Sequence, residues 1–139
     1  MSDPADFVAR FAAYWRAPSV EGLDALLAED VRLIAPLTPT TDTLAAGKRA
    51  FAAVLALTPD LSAEVDRWGA IEAGVLIEFT LSGSTAGVPI SWPAVDRISL
   101  REDGLASERV SYFDTTPLIL TILRHPRTWP AFVRSRLRR

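Results

Sequence analysis

Residues 92–114 read WPAVDRISLREDGLASERVSYFD, two runs of alternating side chains on either side of the turn signal Asp103-Gly104. Successive side chains of a strand point to opposite faces. An even loop through Asp103-Gly104 therefore places Trp92, Ala94, Asp96, Ile98 and Leu100 on one face with Ser107, Arg109, Ser111 and Phe113. The other face takes Val95, Arg97, Ser99, Glu108, Val110 and Tyr112. The first set holds the bulkier apolar groups and only a few polar ones, which makes it the candidate concave wall. Asp96, Arg109 and Ser111 then converge within an apolar surface, the usual construction of a small-molecule pocket. The alternative is that Asp96 and Arg109 form a cross-strand ion pair that only sets register. A three-residue loop with a bulge would separate them onto opposite faces.

Working outward, three further strand-like runs precede this hairpin's second strand: LSAEVDRW, GVLIEFTLSG and VPISWPAVDRISL, separated by Gly or acidic turns. Before them, DPADFVARFAAYWRA carries Phe7, Phe11, Tyr14 and Trp15 at helical spacing behind a Ser2 or Asp3 cap with Pro4 in the first turn. SVEGLDALLAED predicts a short second helix, VRLIAP a strand stopped by Pro36, LTPTTDTLAAG a loop, and GKRAFAAVLALT a third helix. The ends TPLILTILRH and TWPAFVRSRL predict two short helices broken at Pro126. Helices first and strands second specify an α+β fold, with helices packed on one face of a curved, mainly antiparallel sheet. With no internal repeat or linker, residues 1–139 read as one domain that ends in a basic helical tail from about residue 117.

Composition restricts the chemistry. The chain is 49% hydrophobic and 23% charged, which suits unaided folding of a 139-residue domain. The absence of cysteine excludes disulfides and thiolate metal sites, and a lone His125 cannot form a two-His cluster, so neither a metal nor another cofactor is expected. No apolar run reaches membrane-spanning length, and MSDPADF lacks the features of a signal peptide, so a cytoplasmic location is expected. The net charge of −2 conceals an asymmetry: Arg124, Arg127, Arg134, Arg136, Arg138 and Arg139 lie in an acid-free tail behind an acidic body. Such a tail is either an arm for anionic partners or a helix that neutralises its own body. With no glycine-rich phosphate loop and no aromatic-studded basic strand, neither a nucleic-acid nor a membrane partner is expected.

The order helix, helix, strand, helix, four-strand meander resembles the NTF2-like superfamily. AVDRISLREDGLASERVSYFD, a strand with an Asp, an acid-Gly turn and a return strand ending in an aromatic pair and Asp, resembles its SnoaL-like group. The likeness covers about residues 5–120 and implies a cone whose helices and sheet enclose an apolar cavity. It also implies the chemistry of polyketide cyclases and ketosteroid isomerases, in which a base removes a proton beside a carbonyl and a donor stabilises the enolate. Asp96 or Glu78 is the candidate base, and Arg109 or Tyr14 the candidate donor. A first-helix Tyr has that role in the isomerases, although Tyr14 equally fits an aromatic core stripe. Trp92, Ser111, Phe113, Thr80 and Trp15 are the candidate ligand-contacting residues.

The run GVLIEFTLSG permits two orientations. Val75, Ile77, Phe79 and Leu81 face the core while Glu78 and Thr80 meet water, which the pattern taken alone favours, or the reverse holds. Related epoxide hydrolases carry an inward Arg and Asp on this strand, so the resemblance implies inward Glu78 and Thr80. An outward apolar stripe would then need a sheet-to-sheet homodimer to cover it. The hydrolases' Asp before the aromatic pair falls on Ser111 here, and their Tyr and Asn have no counterpart in LIAPLTP, which disfavours epoxide hydrolysis. Two functions follow: a cofactor-independent cyclase or isomerase acting on a small hydrophobic carbonyl compound, or a non-catalytic ligand-binding or dimerisation module. An open cavity favours the first, and one filled by Trp92, Phe113 and helix-one aromatics the second.

Overall fold

Asp3 accepts a hydrogen bond from Ala5 N at 2.9 Å and starts α1 (Pro4–Arg16), whose stripe Phe7, Val8, Phe11 and Trp15 is buried. The computed structural model describes residues 3–137, so the Ser2 alternative lies outside the described residues. The predicted second helix is only a 3-10 turn, Glu21–Ala25, and β1 (Leu27–Ile34) begins four residues before Val31. One turn is too short to hold itself as a helix. Leu27 instead pairs with Ala106, and Ala106 N donates to Leu26 O at 2.8 Å. α2 (Leu44–Leu57) also starts before the expected Gly47, because Thr43 Oγ1 accepts from Ala46 N at 3.1 Å.

β2 (Ser62–Ile71), β3 (Gly74–Thr85), β4 (Val88–Leu100) and β5 (Ala106–Tyr112) form the expected meander. With β1 they make one five-stranded sheet in the order β1-β5-β4-β3-β2, parallel only between β1 and β5. α3 (Thr116–Arg124) and α4 (Trp129–Leu137) follow. Asp114 accepts from Thr116 N at 2.9 Å at the start of α3, and this bond holds its carboxyl below the usual range. Arg136 Nη1 donates to Leu37 O at 2.9 Å, tying α4 to the loop after β1.

The hairpin reaches the expected pairing by an unexpected route. Arg101 N donates to Leu105 O and Gly104 N to Arg101 O, so the loop has three residues, Glu102–Gly104, with Gly104 at φ 83°. Such a loop alone would split Asp96 from Arg109. Ser107, however, bulges from β5 between Ala106, opposite Leu100, and Glu108, opposite Ser99. The extra residue restores the parity. Asp96 consequently lies opposite Ser111, and Ile98 opposite Arg109.

β3 takes the first of its two orientations. Val75 and Ile77 are fully buried, and Phe79 and Leu81 nearly so. Glu78 lies on the opposite face against Arg67 at 3.4 Å, and Thr80 Oγ1 donates to Asp66 at 2.7 Å. The resemblance-based placement of Glu78 and Thr80 in the cavity is corrected here. The cause is packing: α1 brings Phe11 and Trp15 over this strand, with ring centres 5.2 Å and 5.9 Å from Phe79. An apolar stripe meets that aromatic cluster with far less desolvation than a carboxylate and a hydroxyl would. Because the stripe is covered from inside, it supplies no argument for a homodimer.

Candidate functional site

α1, α2, the loop after β1 and the inner faces of β3, β4 and β5 surround a pocket of about 140 Å³. Its wall includes Trp15, Phe79, Trp92, Phe113, Arg109 and Ser111. Trp92 and Phe113 pack together with ring centres 6.0 Å apart and form a side of the pocket without filling it. Of the five expected ligand-contacting residues, Trp15, Trp92, Ser111 and Phe113 are on this wall, and Thr80 is not.

The polar end is built in two layers. Arg109 and Ser111 line the pocket, two residues apart on β5 and so on the same face. Asp96, with no exposed surface, stands behind them on β4. Its Oδ2 accepts from Arg109 Nε, and its Oδ1 accepts from Ser111 Oγ at 2.5 Å. On the other side, the Arg109 guanidinium lies 5.6 Å from the centre of the Trp15 ring. Charge pairing and ring contact together hold a largely desolvated cation in one orientation. Arg109 is the sole ionisable side chain on the pocket wall among the described residues. Any base must therefore act through an intermediary, and of the two wall groups bonded to Asp96 the Ser111 hydroxyl is the one that can both accept and donate a proton.

Tyr14 is placed elsewhere. Its hydroxyl donates to Ser19 O at 2.6 Å and does not reach the pocket wall, so its expected role as an enolate donor is corrected. The aromatic periodicity of α1 puts its ring beside Trp15, edge to face, at 5.6 Å. Burial pushes its pKa up from 10.0 to about 12 against the lowering effect of the Arg109 charge. The folded value lies above the unfolded one, so this contribution to stability is complete below pH 10 and is lost as pH rises towards 12. Alkaline melting curves should accordingly show Tyr14→Phe losing less of its own stability than the parent chain between those limits.

Thr41, Phe51 and the loop 35–39 also line the pocket, and sequence reasoning missed them. LTPTTDTLAAG has no periodicity to expose Thr38, Pro39 or Thr41, and the helical spacing of GKRAFAAVLALT shows Phe51 as a core-facing residue without showing a pocket. What positions Thr41 is its two-way backbone pairing with Leu33, N to O at 3.1 Å and 2.9 Å. Among the described residues no three His, Cys, Asp or Glu side chains are grouped as a metal site requires, and no helix is long and apolar enough to cross a membrane.

A family model described as "SnoaL-like domain" matches residues 8–109, which include α1 from Val8 onward, the first four strands and, of the polar end, Asp96 and Arg109. The chain belongs to the SnoaL-like family. A candidate SnoaL-like polyketide cyclase from Jannaschia sp. CCS1 is similar in structure, with 16% identity, TM-score 0.74, and 86% of this chain and 90% of that chain covered. A protein with a ketosteroid isomerase-like fold from Catenulispora acidiphila, in complex with trimethylamine, has 16% identity and TM-score 0.76 over 86% of this chain and 93% of that one. TerC co-crystallised with polyporic acid has 20% identity and TM-score 0.76, covering 87% and 98%. No curated protein matches the chain by sequence. At these identities the SnoaL-like neighbours establish the fold, an α+β cone of the NTF2 and ketosteroid isomerase kind.

Proposed function

We propose that this SnoaL-like chain binds a small, largely apolar carbonyl compound in its cone, with the carbonyl oxygen against Arg109. The observation that carries this reading is a single oriented cation on a mostly apolar wall, fixed by Asp96 behind it and Trp15 beside it. A guanidinium in that setting polarises an oxygen more strongly than it could in water. That TerC, a structure of similar fold, was co-crystallised with polyporic acid supports small-molecule binding by such a fold.

The finer reading is proton-transfer catalysis, and the Ser111–Asp96 contact favours it. In this step the C–H bond beside the carbonyl breaks and its proton passes to Ser111 Oγ while the hydroxyl proton moves to Asp96 Oδ1. The electron pair becomes an enolate whose oxygen faces Arg109. Return of the proton to another carbon is isomerisation, and attack of the enolate carbon on a second carbonyl is cyclisation. The ketone 1-tetralone in D2O tests both levels. Thermal shift should register its binding, with naphthalene weaker and with Arg109→Leu removing the difference. Proton NMR should show its α-hydrogens exchanging faster than in buffer, with Ser111→Ala slowing the exchange by about 10²- to 10⁴-fold. Glu78→Gln should alter neither. Binding without accelerated exchange would leave the chain a ligand-binding module, and equal binding of ketone and hydrocarbon would remove Arg109 from the site.

A further inference from the structure

An arginine-rich tail can neutralise its own acidic body or meet an anionic partner, and the structure separates the two. Arg124, Arg127, Arg134 and Arg136 are all exposed, and among the described residues none of them pairs with a carboxylate. Residues 115–137 contain no acid, and the last one before them, Asp114, is held at the start of α3. The apolar side chains of the same helices are also placed unusually. Leu118 of α3 and Ser135 of α4 are buried, and α4 packs against α2. Ile119, Leu120 and Leu123 lie on the outward side of α3, while Trp129, Val133 and Leu137 recur every fourth residue along the outward side of α4. Trp129 Nε1 donates to Ile122 O at 2.7 Å, which joins the two helices where Leu123 and Trp129 stand. A surface helix normally turns its apolar stripe to the core and its small polar residues to water. In α4 a serine is buried and the large apolar residues face out. Six such side chains within two short helices exceed the scattered single exposures of an ordinary surface.

We infer that α3 and α4 form a docking surface for an anionic lipid bilayer, with the apolar stripes entering the headgroup layer and the arginines meeting its phosphates and carboxylates. Leucine and tryptophan on one side with arginine beside them is the composition of helices that lie in a membrane interface. Arginine stems add apolar cover while their heads reach the lipid anions, and an indole favours the same boundary. Shape separates a bilayer from a protein groove. Side chains that line a groove are shielded by its walls, whereas Leu123, Val133 and Leu137 keep 59%, 54% and 79% of their surface and project from the molecule. A projecting stripe suits a deformable layer. Charge opposes a second copy of the chain, because a symmetric contact through this surface sets arginines against arginines. A helix that lies on a bilayer need not cross it, and none of the described helices is long and apolar enough to do so. This departs from the sequence expectation of no membrane partner, because exposure of the stripes is a property of the packed helices. It is independent of the pocket and its chemistry.

Co-sedimentation of the full chain with vesicles tests this, comparing phosphatidylcholine alone with the same lipid holding about one-third phosphatidylserine. The parent chain should prefer the anionic vesicles by about tenfold or more, and should leave them as salt rises from about 0.1 M to about 0.5 M. Arg124→Gln with Arg134→Gln should weaken that binding about twentyfold, from about fivefold for each charge. Val133→Gln with Leu137→Gln leaves the charge unchanged and should weaken it by about tenfold or more. Arg32→Gln with Arg67→Gln removes the same charge from exposed sites elsewhere and should have little effect. All six side chains are exposed, so the variants should melt close to the parent and their binding can be compared directly. Equal affinity for both kinds of vesicle, or affinity for neither, overturns the inference. So does a Val133→Gln, Leu137→Gln chain that binds like the parent, which would reduce the surface to unspecific charge. Without vesicle binding, parent dimers in light scattering that this variant loses would assign the face to a second copy, and retention on polyglutamate beads would assign it to an acidic protein segment. Either result replaces the bilayer.

Discussion

Asp96→Asn is expected to lower stability by about 3 to 5 kcal/mol, because it leaves the largely buried Arg109 cation without its partner. The lower end applies if the guanidinium, whose side chain keeps 22% of its surface exposed, turns towards solvent. Chemical denaturation with an unchanged slope would measure the loss. The double variant Asp96→Asn with Arg109→Leu should recover much of it, since no unpaired charge then remains. A loss below about 1 kcal/mol, in the range of exposed pairs, would show that the pair does not hold the wall. The catalytic reading adds a separate signature. Asp96→Asn should suppress α-hydrogen exchange even at temperatures where the variant is fully folded, whereas a purely structural Asp96 would leave exchange unaltered in the folded population.

Phe79→Ala should cost about as much, roughly 3 to 5 kcal/mol. Phe79 is 1% exposed at the middle of β3, and its ring meets Phe11 edge to face and also contacts Trp15. Truncation removes those contacts and opens a void that α1 and the sheet are too rigid to close. It also joins that void to the pocket, whose wall Phe79 helps to form. Urea titration should register the destabilisation, and Phe79→Leu should cost markedly less. A change under about 1 kcal/mol for the alanine variant would mean that the aromatic cluster is not the centre of the core.

Much of this was legible in the sequence by itself. Alternation across WPAVDRISLREDGLASERVSYFD placed Asp96, Arg109 and Ser111 on one face, and the helix-then-strand order specified α+β, because side-chain periodicity is a local property of backbone geometry. Tertiary structure decided the rest. The pattern of GVLIEFTLSG taken alone favours an inward Phe79, and it is the family resemblance that points Glu78 inward; α1's aromatic stripe, which lies outside that run, decides for the pattern. The fate of SVEGLDALLAED turned on pairing between Leu27 and Ala106, residues distant in sequence. Even the correct pairing of Asp96 with Ser111 depended on two departures from regularity, a three-residue loop and a bulge at Ser107, whose effects on register cancel. Thr41 reached the pocket only through its bridge to Leu33. Local pattern determines which residues share a face; only packing between elements determines what that face meets.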